Sequence, residues 1–334
     1  MLDEIYLRLL VELIPSSVKF TPLDIKRLIT QFNEGSQAKS AYAELIKSIY
    51  DDDPNSNIGL LFGQHLHPST LCDLSRALMT AENFQQIIKL VELYHFTHGV
   101  SYFPSIHSEN GKFSIALTYL YKSLTNDYQK RFCAEAVFSY VINSLRETVA
   151  AHIQPIEIHF DFAKPHYADD YKRWHCPIHF NQPLAMVSFD DKFLFQNLLT
   201  RNNVLHPIYL NKSLDSWRKS ERLNDLEYRS ICLMMQQHPH AFNSEYLAKM
   251  LNISVRGLQK RLSKQGESFS HLSNLARREL SKVYLFQKKH DIEFTAEQLG
   301  FQSSSGFRRF FKQEFDQTPA EYQKSFSPAP VATT

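Results

Sequence analysis

Basic and polar side chains that could pair with the edges of DNA bases occur in two groups in the last third of the chain. Their members are Arg256, Gln259 and Lys260 in the first group and Ser304, Ser305, Arg308 and Arg309 in the second. Arginine can pair bidentately with guanine and glutamine with adenine, whereas serine can bond to either kind of edge. We therefore predict that these residues contact bases; the alternative for each is a solvated position on a helix face.

A second set of side chains could bind DNA phosphates, which position a protein on the duplex without specifying its sequence. This set consists of Ser254, Lys264, Arg277, Arg278, Ser303 and Lys312.

An internal repeat carries both sets. The pattern Ala-x-x-Leu-Asn-Ile at 248–253 recurs 48 residues later as Ala-x-x-Leu-Gly-Phe at 296–301. Each copy has a small residue that lets two helices cross closely, followed by Asn252 or Gly300, residues that tolerate positive φ. A serine that can cap a second helix comes next. This order is typical of a helix-turn-helix motif.

A long amphipathic helix, predicted over 270–289, separates the two copies. Twenty residues at about 1.5 Å each span about 30 Å. One turn of B-DNA is about 34 Å. The spacing therefore predicts that two recognition helices can enter successive major grooves on one side of the duplex.

The stretch from about 225 to 326 resembles the DNA-binding domain of the AraC/XylS-type bacterial transcription regulators. The run GFQSSSGFRRFFKQEFDQTPAEY, residues 300–322, carries most of the resemblance. The matching positions are Ala248, Ser254, Arg256, Leu258, Lys260 or Arg261, Leu262, Gly266, Ala296, Leu299, Gly300, Phe301, Ser303, Phe307, Arg309, Phe311, Lys312, Phe315, Thr318, Pro319 and Tyr322. Asp316 stands where the family usually has Gly, and Gln323 where it usually has Arg.

The charge distribution agrees with a polyanionic partner for the C-terminal part. The net charge is only +2, but residues 211–334 hold 19 basic and 13 acidic residues, and residues 1–210 hold 18 and 22. Residues 254–289 contain nine basic residues and only two acidic ones, Glu267 and Glu279. Such asymmetry is typical of chains that bind nucleic acid at one end.

The first 210 residues mix helix and strand patterns. Helical periodicity predicts a helix capped by Thr21 that continues to Phe32, a helix at 38–50, a helix capped by Thr80 that continues to Leu93, a long helix at 132–149 and a short one at 165–174. Asn110-Gly111 between two β-rich runs predicts a hairpin, and further strands are predicted at 156–162, 177–180 and 185–190. This order is similar to that of the arabinose-binding-like sensing domains found in part of the same family. The resemblance implies a domain that binds an effector and can dimerise.

The predicted fold is therefore an α+β N-terminal domain followed by an all-α C-terminal domain with two helix-turn-helix motifs joined by a long linker helix. The expected boundaries are 1–210 for the sensing domain, 211–224 for a polar linker, 225–326 for the DNA-binding domain and 327–334 for a disordered tail. The 25 Phe and 16 Tyr would suit a pocket for an apolar or amphipathic effector, although aromatic residues are core by default.

The sequence offers little support for catalysis or a cofactor. Walker, Rossmann and nucleophile-elbow patterns are missing from it. His175-Cys176-x-x-His179 is the most metal-like run, but neighbouring residues of a strand point to opposite faces. We therefore predict no enzyme, no cofactor and no metal site. The acidic N-terminus, the short apolar runs and four scattered cysteines predict a cytoplasmic chain without membrane contact.

Together these features predict a sequence-specific transcription regulator, an activator controlled by a small molecule of unknown identity. Double-stranded DNA and RNA polymerase are the expected partners, and a homodimer is left open. Two alternatives remain: a constitutive DNA-binding regulator whose N-terminal domain docks partner proteins, and one whose N-terminal domain carries a metal or enzymatic site.

Overall fold

The computed structural model describes residues 9–14, 38–67, 73–94, 102–119, 127–218, 226–236 and 238–326. The predicted helix capped by Thr21 and the predicted tail 327–334 lie outside the described residues.

In its described residues, the N-terminal part combines α-helices with a five-stranded sheet. After a helical stretch at 9–13, the helices are α1 (Ala38–Asp52), α2 (Ile58–His65), α3 (Asp73–Met79), α4 (Phe84–Tyr94), α5 (Asp127–Thr148) and α6 (Leu205–Arg218). The strands are β1 (Tyr102–Glu109), β2 (Lys112–Tyr119), β3 (Glu157–His159), β4 (Ile178–His179) and β5 (Ala185–Asp190). Short 3₁₀ helices lie at Ala168–Trp174 and Asp191–Phe193.

The sheet has the order β1-β2-β5-β3-β4. Only β3 and β4 pair in parallel, and the other neighbours are antiparallel. The hairpin between β1 and β2 turns at Asn110 and Gly111, which both have positive φ, 52° and 77°. An Asn-Gly pair favours this turn because both central residues of a type I′ turn need positive φ.

One face of the sheet packs against α5 and forms the largest core. Phe113, Val187 and Ile158 from three strands meet Phe138 and Ile142 of the helix in a single buried cluster. Side chains alternate along a strand, so the intervening residues form a second face. We call this second face the interdomain face. It carries a cross-strand row of Ala116, Met186, His159 and His179.

The C-terminal part is helical throughout its described residues. It contains α7 (Leu226–Gln236), a 3₁₀ turn (His240–Phe242), α8 (Ser244–Met250), α9 (Val255–Lys264), α10 (Phe269–Lys282), a π-helical segment (Val283–Gln287), α11 (Ile292–Gln298), α12 (Ser304–Phe315) and α13 (Pro319–Phe326). The pairs α8–α9 and α11–α12 are the two helix-turn-helix motifs, and the predicted long helix corresponds to α10 with the π-segment, Val283–Gln287.

The π-segment packs on the interdomain face of the sheet. Val283 joins Ala116, Leu184 and Met186 in a small buried cluster, with Phe286 packed against it. The sheet is therefore covered on both sides, by α5 on one and by the end of the linker helix on the other.

Two predicted segments differ from the structure where it describes them. The predicted linker 211–224 begins as helix, because α6 continues to Arg218 and is held to α3 by a hydrogen bond between His206 Nδ1 and the Ala77 carbonyl. The strand predicted over 156–162 is shorter, since its neighbour β4 has only two residues and Phe160 and Phe162 stack on each other beside Phe180. No helix among the described residues is both long and apolar enough to span a bilayer.

Candidate nucleic-acid interface

Each recognition helix begins at a serine cap. The Ser254 hydroxyl oxygen accepts from the Gly257 amide of α9 at 3.0 Å, and the Ser303 hydroxyl oxygen accepts from the Gly306 amide of α12 at 3.3 Å. A capping serine satisfies one of the amides that a helix start leaves unpaired. The two serines predicted to bind phosphates therefore have a structural role as well.

The turn before each recognition helix has the predicted conformation. Asn252 has φ 57° and Gly300 has φ 70°. Ala248 and Ala296 are each 2% exposed and belong to the same buried core. The two motifs are thus the same local structure built twice from different side chains.

The inner faces of both recognition helices are apolar and buried. Leu258 and Leu262 of α9, and Phe307 and Phe311 of α12, belong to one core cluster. The opposite faces are exposed, and they carry the predicted base-contacting residues. Those on the exposed faces are Arg256, Gln259, Lys260, Ser305, Arg308 and Arg309, whereas Ser304 is half-buried at the start of its helix.

The exposed polar residues of the two recognition helices lie at matching positions of the repeat. Arg256 aligns with Ser305, and Lys260 with Arg309, each pair lying at the same distance from its capping serine. Arg308 differs from the others because its guanidinium lies 3.2 Å from the Glu293 carboxylate of α11. Both groups of this ion pair are largely exposed, so the pair contributes little stability and can open for another anion.

The predicted phosphate contacts divide into two kinds. Lys264, Arg278 and Lys312 are exposed, as a phosphate contact requires. Arg277 is half-buried, and its Nε donates to the Leu299 carbonyl at 2.9 Å. Burial lowers the pKa of this guanidinium.

Arg277 instead connects the two motifs. Its guanidinium lies over the rings of Phe242 and Phe301, 4.6 Å and 4.9 Å from their centroids. Phe242 precedes the first motif, and Phe301 lies in the turn of the second. This cation therefore packs between aromatic rings and bonds a helix-end carbonyl, and its contact with a phosphate stays a prediction.

The two departures from the family pattern have local explanations. Asp316 ends α12 in the left-handed region with φ 57°, where Gly is the usual choice and Asp is tolerated. Gln323 donates through Nε2 to the carbonyls of Leu285 and His290, at 3.4 Å and 3.2 Å. Gln323 thus uses its amide to bond the backbone at the end of the linker helix.

Sequence reasoning missed the polar contacts between the sheet and the linker helix. Gln287 is 5% exposed, and its Nε2 donates to the Ser105 carbonyl at 3.0 Å and to the Ser114 carbonyl at 3.2 Å. The Tyr119 amide donates to the Glu279 carboxylate at 3.3 Å. These pairs lie more than 150 residues apart, so no local pattern could have indicated them.

The metal-like run does not form a cluster. His175 is exposed, and Cys176 packs at the edge of the main core. Among the described residues, His179 instead lies together with Glu157 and His159. A single sequence does not indicate this set, because Glu157 and His159 of β3 meet His179 only through the pairing of β3 with β4.

Comparisons with known proteins agree with this architecture. Residues 33–198 match the arabinose-binding domain of AraC transcription regulators, and residues 247–325 match a helix-turn-helix domain. The ornithine utilization regulator of Pseudomonas aeruginosa is 22% identical over 269 residues, covering 80% of this chain and 78% of that protein. The regulator VqsM from the same organism is also 22% identical, over 277 residues, covering 80% and 84%.

Among solved structures, the transcriptional regulator CdpR of Pseudomonas aeruginosa aligns with 95% of this chain and 97% of its own, at 15% identity and a TM-score of 0.47. The matched domains and relatives are those of a transcription regulator and not of an enzyme. The chain belongs to the AraC family of DNA-binding transcription regulators, with an arabinose-binding-type domain followed by paired helix-turn-helix motifs.

Proposed function

We propose that α9 and α12 enter successive major grooves and that this chain activates transcription when its N-terminal domain binds an effector. The observation that carries the proposal is the exposed polar face repeated on two recognition helices. The apolar faces of these helices are buried in one shared core, so their exposed faces are held in a fixed relation.

The distance between the motifs supports binding by one chain. The linker helix and π-segment run from residue 269 to 287, which corresponds to about 28 Å at the usual rise. A turn of B-DNA is about 34 Å. A single chain can therefore do what two copies of a one-motif protein do together.

In this proposal Arg256, Gln259 and Lys260 contact bases in one groove, and Ser304, Ser305, Arg308 and Arg309 contact bases in the next. Ser254, Lys264, Arg278, Ser303 and Lys312 bind phosphates. The two capping serines keep a hydroxyl proton to donate while their oxygen accepts from the helix.

The contact between the sheet and the π-segment supports control by the N-terminal domain. A ligand acts only if it favours one arrangement of the two sites over another. Gln287 and Glu279 hold the end of the linker helix against β1 and β2, so a change in the sheet reaches the helix that spaces the two motifs. The proposed effector is apolar or amphipathic. We also propose that the chain forms a homodimer and acts with RNA polymerase in the cytoplasm.

The test begins by selecting bound duplexes from a random pool with the full chain and measuring affinity for the selected site at several salt concentrations. Five or so phosphate contacts release condensed counterions, so the logarithm of the association constant should fall with a slope of about −4 to −5 against the logarithm of salt. A flat salt dependence would contradict the proposal.

Arg309→Ala tests the base contacts. We expect a loss of about 1–3 kcal/mol for the selected site and relaxed preference at one base position. Lys324→Ala is the matched control, since Lys324 is an exposed cation on α13 outside both recognition helices. An equal loss on every sequence would make Arg309 a phosphate contact.

A further inference from the structure

Three potential metal ligands converge on the interdomain face of the sheet. Glu157 and His159 lie two residues apart on β3, so their side chains project from the same face. His179 pairs with His159 across the parallel β3–β4 ladder. The ligand atoms of the three side chains all lie within 4.8 Å of one another.

The separations are close to those that a bound metal needs. The Glu157 Oε2 atom lies 3.3 Å from His159 Nε2 and 3.9 Å from His179 Nε2. Two ligands bound to zinc at about 2.0–2.1 Å with tetrahedral angles are about 3.3 Å apart. Small rotations of the side chains would therefore complete a three-ligand site.

His159 supplies a second, independent observation. Its Nδ1 atom is buried and, within the described parts of the chain, has no hydrogen-bond partner, whereas its Nε2 atom is the one that pairs with the Glu157 carboxylate. A buried polar group without a partner is uncommon and is one sign of an ion that binds there. The bond that such a nitrogen lacks is the one that a metal ion provides.

The ligand types limit which ions fit. Two imidazoles and one carboxylate suit zinc and the divalent iron, cobalt and nickel ions, whereas magnesium and calcium prefer oxygen ligands alone. His179 is 46% exposed at its side chain, which leaves a path from solvent. The Lys112 ammonium lies 3.6 Å from Glu157 Oε1, the carboxylate oxygen that does not face the histidines.

The site also touches the DNA-binding half. The ring of Phe286 on the π-segment meets the ring of His159 edge to face, with centroids 5.6 Å apart. Phe286 is the neighbour of Gln287, which bonds the β1–β2 hairpin. A metal that fixes the rotamer of His159 therefore fixes the surface on which the linker helix rests.

We propose that Glu157, His159 and His179 form a binding site for a divalent transition-metal ion. Three protein ligands leave a position for water or a further ligand. The regulatory consequence, that the metal acts as an effector, rests on the proposed control of the DNA-binding motifs by the N-terminal domain.

The test uses the full chain, freed of metal with a chelator and then titrated with Co²⁺ alone, followed by competition with Zn²⁺. We expect one Co²⁺ per chain, a visible d–d spectrum, and displacement by Zn²⁺. His179→Ala should weaken binding at least tenfold, as should Glu157→Gln. His166→Ala is the matched control, because His166 is an exposed histidine of the same domain outside the cluster, and its binding should be unchanged.

His159→Ala removes a buried ring, so its Co²⁺ binding is compared only after circular dichroism shows that it folds. If it does not fold, the His179→Ala variant still tests the site, because His179 is exposed. Co²⁺ binding that is equal in His179→Ala and wild type, or that is absent at 100 μM-scale concentrations, would overturn the site. DNA affinity with and without Zn²⁺ is measured separately: if it does not change while Co²⁺ binds, the metal site stands and its effect on regulation is refuted.

Discussion

Arg277 shows that a basic residue of a DNA-binding domain can make contacts within the protein. It lies between Phe242 and Phe301 and bonds the Leu299 carbonyl. The sequence could not distinguish it from Arg278, because both follow Ala276 on the linker helix. The difference arises from the angle of the helix, which turns one side chain inward and leaves the other exposed.

Replacing Arg277 should therefore affect stability without DNA. Arg277→Lys keeps the charge but loses the planar fork that stacks on the rings and reaches the carbonyl. We expect a loss of about 1–3 kcal/mol in the free energy of unfolding, measured by denaturant titration of the free protein. Arg278→Lys is the control and should leave stability within error. If both variants were equally stable, we would interpret Arg277 as a phosphate contact instead.

Glu135 is a buried carboxyl of α5 beside two tyrosines. The hydroxyl of Tyr167 donates to Glu135 Oε1 at 2.7 Å, and the hydroxyl of Tyr171 donates to the same atom. Burial outweighs these bonds and raises the pKa of Glu135 from its ordinary value of 4.5 to about 7. The folded chain therefore holds this proton more tightly than the unfolded chain.

This raised pKa predicts a pH dependence of stability. The stabilising contribution is complete below about pH 4.5 and is lost as the pH rises through about 7. Between about pH 6 and pH 8 the wild type should lose about 1 kcal/mol through this group. Glu135→Gln should remove that part of the slope, as measured by denaturant unfolding at both pH values. An unchanged slope in the variant would show that Glu135 titrates normally.

At the level of elements, the helices and turns of the DNA-binding half could be predicted because their signals are local. A serine cap, a residue with positive φ and a buried stripe all lie within a few positions of one another. The β1–β2 hairpin was predictable for the same reason, since Asn110-Gly111 specifies the turn. The Glu157–His159–His179 cluster and the contacts of Gln287 depend on strand order and register, which a single sequence does not reveal.

Helix α2 packs closely on α5 because Gly63 of α2 has no side chain. A Cβ atom on Gly63 would lie 2.2 Å from the Ala136 carbonyl oxygen and 2.7 Å from the Ala136 Cα of α5. Backbone atoms cannot move aside as a flexible side chain can. The two helices therefore cross at a distance that only glycine permits at this position.

Gly63→Ala should thus destabilise the chain, by about 1–3 kcal/mol or more if the helices cannot separate. Gly306→Ala provides the contrast, since a Cβ there would meet nothing closer than 3.7 Å, and alanine in a helix is favoured by about 0.5–1 kcal/mol. Thermal unfolding should move the two variants in opposite directions. A shift of the same sign in both would mean that the crossing adjusts freely.

At the scale of the whole molecule, the contact of the π-segment with the sheet depends in part on a single side chain, Gln287. Gln287→Leu removes a donor shared by the carbonyls of Ser105 and Ser114. We expect a loss of about 1–3 kcal/mol and faster amide exchange in β1, β2 and the π-segment. Gln302→Leu, at an exposed position, is the control. Unchanged exchange in the Gln287 variant would show that the apolar contacts alone hold the two halves together.

Because the sheet is covered on both sides, the DNA-binding half cannot simply be separated from the N-terminal half or exchanged with that of a relative. A DNA-binding half cut away from its partner would carry Val283 and Phe286 into water, and the remaining half would expose Ala116, Leu184 and Met186. Exposed apolar surface of this kind promotes self-association. Exchange of the C-terminal half with that of a relative would thus need a matching sheet surface, so the two halves are expected to be inherited together.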